Sequence, residues 1–173
     1  MDYQERNFIN EITEAVIEHY GIQIPVQDVD EVVSKIGGEI STDYDPETLG
    51  DGCIRKNGDS FIITLSPFQP DNRRNFTVAH ELGHLFLHMG YDIDEELWQR
   101  QDVEPYNRYG NTEMEYQANE FAAALLMPKK KYKEIMDRYT IGNIVDTSKV
   151  AEYFHVSVGA ASNRGKWLGY LEW

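Results

Sequence analysis

Two histidines four residues apart, with a glutamate directly after the first, carry the clearest chemistry in this chain: His80, Glu81, Leu82, Gly83 and His84 spell H-E-x-x-H. On an α-helix, positions i and i+4 share a face about 6 Å apart along the axis, so both imidazoles can reach one metal ion. Glu81 projects about 100° away from His80. In zinc enzymes with this pattern the carboxylate stands beside a water on the metal, where it serves as general base. Leu82, Leu85 and Phe86 pack the other side of the helix into the core.

Two histidines do not complete a site, and the third ligand has to be argued. His88 extends the register, but eight residues of straight helix rise about 12 Å, whereas zinc ligands place their donor atoms about 2 Å from the metal. All three histidines therefore cannot meet on one ion. Metzincins break the helix at a glycine and place the third histidine six residues after the second; this chain has Met89-Gly90 there instead. His88 reads as a helix C-terminal residue, favoured by the dipole.

A carboxylate from a separate helix solves the distance problem, and the segment around 112–127 offers Glu113, Glu115 and Glu120. Ala118, Phe121, Ala122 and Leu125 define its buried stripe. Glu115 lies on that stripe, while Glu113 and Glu120 lean towards its edges. Asn119, at i+4 from Glu115, shares the face and could hold a histidine through its other ring nitrogen, the support that zinc ligands usually need. His80, His84 and Glu115 would form a His₂Glu site with a fourth position open to water. It would take one Zn²⁺ per chain, or another divalent metal in its place.

The elements that must position these residues are mostly helical. Residues 3–20 place Phe8, Ile9, Ile12, Ala15, Val16 and Tyr20 at helical spacings, ending at Gly21. A second helix carries Val29, Val32, Val33 and Ile36 and stops at Gly37-Gly38. Cys53 to Leu65 reads as two strands around a type I′ turn at Asn57-Gly58, with Glu39–Tyr44 as a third strand. Asp71 is a candidate N-cap for a helix reaching about Met89. Residues 90–111 show no clear period. After the helix from Thr112 to Met127, Pro128 marks a restart, and 146–168 reads as two short helices. The stretch 150–169 has the outline of a helix-turn-helix, with Arg164 and Lys166 on its second helix. The competing reading packs Val150, Phe154, Val156, Val158 and Trp167 against the core.

The chain has 173 residues, 41% hydrophobic and 27% charged, with a net charge of −14, which is globular composition. One domain is expected over 1–173, with N-terminal helices and the first strand in 1–50, a catalytic core in 51–128, and a helix-turn-helix-like helical region in 129–173. The acidity disfavours direct nucleic-acid binding. It concentrates in 28–59, at −6, and 91–120, at −7, which could steer a cationic partner towards the middle of the chain. No apolar run reaches the length of a membrane span. The N-terminus lacks the features of a signal peptide, and the lone Cys53 suits a reducing cytoplasm. A monomer is expected.

The strings RRNFTVAHELGHLFLH (73–88) and EYQANEFAAALLMP (115–128) resemble the ImmA/IrrE family of metallopeptidases. The resemblance covers the chain from about Asp51 onward. It places His80, His84 and Glu115 at the family's ligand positions and Glu81 at its catalytic glutamate. It implies a zincin-like α+β fold with a small three-stranded sheet, mixed or antiparallel, packed on the H-E-x-x-H helix. It also implies a cytoplasmic gluzincin-type endopeptidase that makes limited cuts in a DNA-bound helix-turn-helix repressor. A non-hydrolytic regulatory module, as in toxin–antitoxin or phage systems, is the alternative; a DNA-binding protein acting through the C-terminal helices is the third reading. Tyr91, Tyr106, Tyr109 and His155 are candidates for stabilising an oxyanion. Strand 61–65, if it lies at an edge, could pair with substrate backbone.

Overall fold

A computed structural model describes residues 1–43, 52–102 and 112–172. The first helix, α1 (Tyr3–His19), starts where the Asp2 carboxylate accepts the Glu5 N–H at 2.9 Å, and it buries Ile9, Thr13 and Val16. In α2 (Val29–Ile36), Asp28 caps the start and Gly37 ends the helix at φ 102°, a left-handed conformation that favours glycine. Beyond it come β1 (Glu39–Ser41), β2 (Gly52–Asn57) and β3 (Ser60–Leu65).

These strands form a mixed sheet in the order β1-β3-β2, with β1 parallel and β2 antiparallel to β3. Phe61, Ile63 and Leu65 are buried. Because β3 has a neighbour on each side, it offers no free edge for substrate backbone, which removes that recognition mode for 61–65. The β1 strand is shorter than expected, and Tyr44 lies outside the described residues. The hairpin turn also differs. Asn57 pairs with Ser60, so Gly58 and Asp59 are its two central residues. Only Gly58 has positive φ, at 62°, the II′ rather than the I′ pattern.

The metal-motif helix α3 (Asp71–Leu87) follows Pro70, and Asp71 belongs to its first turn rather than capping it. Its C-cap is His88. A short helix, α4 (Glu95–Gln99), falls where no period was visible. It is capped by Asp94, and its buried Trp98 packs edge-on to Tyr91 with ring centroids 5.0 Å apart. Then come α5 (Thr112–Leu126), α6 (Lys129–Arg138), a small hairpin of β4 (Thr140–Ile141) and β5 (Ile144–Val145), α7 (Thr147–Phe154) and α8 (Val158–Trp167). The α3–α5 pair is the most extensive helix contact, and α1 packs on α5 as well.

The helical hairpin α7–α8 packs inward through Val150, Phe154 and Val156, while Val158 and Trp167 are half exposed. Arg164, expected as a basic residue of a helix-turn-helix, is buried. Its guanidinium meets Glu120 at 2.8 Å and donates to the Met127 carbonyl at 3.1 Å and to Asn10 Oδ1 at 2.7 Å. Arg6 of α1 approaches the other Glu120 oxygen at 3.2 Å. The arginine thus ties α8 to α5 and α1 rather than facing a nucleic acid. Nearby, the buried Tyr132 hydroxyl donates to the Ala161 carbonyl at 2.7 Å, and burial pushes the phenol up to about 12.

Removing one partner of such a buried pair leaves an under-compensated charge. Arg164→Leu is expected to destabilise the protein by about 3 kcal/mol, read as a lower denaturant midpoint at unchanged slope.

Candidate metal centre

Helices α3 and α5 build the site between them. Both sequence-singled histidines lie on one face of α3, and the crossing with α5 is close because Gly83 has no side chain. A Cβ at Gly83 would sit 2.9 Å from the Cα and the carbonyl oxygen of Ala118. At this approach, His80 Nε2 and His84 Nε2 are 3.0 Å apart. One Glu115 oxygen lies 3.3 Å from His80 Nε2 and the other 3.3 Å from His84 Nε2. Among the described residues these three side chains form a group that could hold a metal ion, with ligand atoms within 4.8 Å of one another.

The hydrogen bonds around the group say which atoms are lone pairs. His80 Nδ1 lies 3.0 Å from Asn119 Oδ1, so with an N–H donated to that oxygen the ring's Nε2 carries a lone pair. His84 Nδ1 lies 3.0 Å from His88 Nδ1, on the side away from the group. Glu115 Oε1 is buried and accepts no hydrogen bond among the described residues. Acceptors gathered in this way repel one another unless a cation lies among them. Donors about 2.0–2.2 Å from one tetrahedral zinc ion stand roughly 3.3 Å apart, close to the spacing seen. The residues present therefore fit a divalent metal.

Glu81 is buried immediately after His80, on the same helix. Of the other carboxylates on α5, Glu113 is exposed and Glu120 is held by Arg164 and Arg6. His88 lies outside the ligand group; burial lowers its pKa, against the raising effects of Gln117 and Glu115. The Tyr91 hydroxyl donates to the Ile36 carbonyl at 3.0 Å and is thereby committed to the core. His155 sits at the C-cap of α7 with φ 55°. Tyr106 and Tyr109 lie outside the described residues.

Sequence reasoning did not find Gly83 as the contact that sets the helix crossing, nor Gln117, whose Oε1 lies 2.8 Å from His88 Nε2. Gly83 stood inside the motif, but only its neighbour on α5 reveals its role. A groove of about 1000 Å³ adjoins the site through Tyr116 and Asn119 and runs past Phe76, Ala123, Met127 and Trp167.

The fold is α+β, with a small mixed sheet and the H-E-x-x-H helix crossed by a second helix that carries Glu115. The family model of the IrrE N-terminal-like domain, a peptidase family, matches residues 42–166, and the chain belongs to that family. No curated protein matches the chain significantly. Among solved structures, a Mycobacterium tuberculosis transcriptional regulator shares the fold, with a TM-score of 0.58 and 17% identity over 94% of this chain. This chain spans 48% of that structure, about half its length.

Two measurements check the site. Zinc at about 100 times its dissociation constant should stabilise the protein by about 2.7 kcal/mol, raising the thermal midpoint by several degrees, and His84→Ala should abolish that shift. Gly83→Ala should cost about 1–3 kcal/mol by overpacking and weaken metal binding by forcing α3 and α5 apart.

Proposed function

We propose that the chain is a zinc-dependent endopeptidase that makes limited cuts in a protein substrate, a helix-turn-helix DNA-binding repressor. The observation that carries this reading is the convergence of His80, His84 and Glu115, with a buried Glu81 next to His80 in the helix. Zinc held there supplies Lewis-acid polarisation of the scissile carbonyl and makes water acidic enough to attack near neutral pH. Glu81 takes the proton of the attacking water and passes it to the leaving amine. Asn119 keeps the His80 ring in the orientation and tautomer that present Nε2 to the site.

The apolar groove beside Asn119 supports a polypeptide substrate, since it can take side chains of an extended segment. A repressor substrate is supported by the chain's charge of −14, which favours a basic partner. Within this reading the chain acts as one peptidase unit, a monomer in the cytoplasm. Among the described residues no helix is long and apolar enough to cross a membrane.

The test is incubation of the zinc-loaded protein with the repressor encoded nearest to it, with products read by mass. Glu81→Gln should lower the rate by about 10²–10⁴-fold while leaving zinc bound. A discrete product from both proteins alike would contradict the role given to Glu81. The acidic surface is tested separately. Asp92 accepts from Tyr20 and Asp94 caps α4, so the reversals belong at the exposed Glu95 and Glu96, of which Glu96 makes only a surface pair with Arg100. The paired Lys substitutions should slow substrate association at low salt and leave it unchanged at high salt.

A further inference from the structure

The environment of His84 extends well beyond α3. Its Nδ1 meets His88 Nδ1 at 3.0 Å, His88 Nε2 meets Gln117 Oε1 at 2.8 Å, and Gln117 Nε2 meets Glu5 Oε1 at 2.5 Å. This series of contacts crosses from α3 to α5 and then to α1, ending on a carboxylate near the start of the chain. Glu5 is the third residue of α1, a position whose glutamate in a capping box folds back on the N-cap; here its carboxylate reaches Gln117 instead, 112 residues away in sequence.

The polarity of the series follows from its far end. A carboxylate only accepts, so Glu5 requires the amide NH₂ of Gln117 to face it, which turns the amide oxygen towards His88. That oxygen also only accepts, so His88 Nε2 must bear the proton. In the neutral ring Nδ1 is then an acceptor, and it takes the N–H of His84 Nδ1. His84 is left with its lone pair on Nε2, the atom 3.0 Å from His80 Nε2 and 3.3 Å from Glu115. Reversing the amide would put an N–H against His88 Nε2 and invert every later bond.

We propose that Glu5 is a positioning residue for the metal ligand His84, acting through Gln117 and His88. The proposal rests on the metal-centre reading above and assigns the N-terminal helix a part in that centre, although Glu5 lies outside the residues 42–166 that the family model matches. Arg6, the next residue, also ties α1 to α5, through Glu120, but does not enter the series. It provides a control for mere helix docking.

The experiment measures Co²⁺ and Zn²⁺ affinity of the full chain by chelator competition, the visible spectrum of the cobalt form, and the thermal midpoint without metal. Gln117→Leu is expected to weaken affinity by about 10–100-fold and to alter the cobalt spectrum. Glu5→Ala should act in the same direction by a smaller factor, at least about threefold. Glu5→Gln, whose amide oxygen can still accept from Gln117, should restore most of the affinity. Combining Glu5→Ala with Gln117→Leu should add nothing to Gln117→Leu alone, because both interrupt one series. Arg6→Gln should lower the metal-free midpoint and leave affinity unchanged.

Wild-type affinity and spectrum in Glu5→Ala would overturn the proposal. So would a loss in Arg6→Gln as large as in Glu5→Ala, since α1 would then act only by docking. Failure of the wild type to bind either ion would instead overturn the metal-centre reading, and the proposal with it.

Discussion

The close crossing of α3 on α5 is the constraint on which the site depends. Helices usually pack with axes 8–10 Å apart, a distance set by the side chains at the contact. At Gly83 and Ala118 there is almost no side chain, and the backbones approach until a single added carbon would lie 2.9 Å from the neighbour. This brings a carboxylate from one helix within 3.3 Å of two imidazoles on the other. The sheet packs on α3 and α1 packs on α5, and the Arg164–Glu120 contact fixes α5 to the C-terminal hairpin.

Two polar systems share α5 and do different work. Glu115, Gln117 and Asn119 address the histidines of α3, whereas Glu120 joins Arg164, Arg6 and Asn10 in a buried cluster. Such groups are costly to bury unless partners satisfy them. In the second cluster charges of both signs and several hydrogen bonds meet that requirement inside the protein. In the first, two imidazole nitrogens and a carboxylate converge on one point, an arrangement that a cation would satisfy. That contrast distinguishes a structural polar cluster from a candidate metal site on the same helix.

Much of this was legible in the residues because the relevant physics is local. The H-E-x-x-H spacing places two imidazoles on one helical face wherever the helix goes, and the phase of Ala118, Phe121 and Ala122 singles out Glu115 from its neighbours. The long helices were visible for the same reason. What escaped depends on partners distant in sequence. Nothing near Arg164 announces Glu120 or Asn10, so a buried arginine read as a surface base. The central place of β3 follows from β1 choosing its parallel side, which no strand propensity encodes. Asp59, rather than Asn57, occupies the hairpin turn because register is set by sheet pairing as well as by turn chemistry. Helical rise alone sets His88 apart from the expected ligands, but its contact with Gln117 arises only from the helix crossing.

His80, His84 and Glu115 are proposed to hold one metal ion between α3 and α5. Anomalous diffraction at the zinc edge, from crystals of the full chain grown with zinc, tests it most directly. A single strong peak about 2.0–2.2 Å from both Nε2 atoms and from a Glu115 oxygen is expected. A peak placed elsewhere, or zinc held by the two histidines with Glu115 turned away, would contradict it.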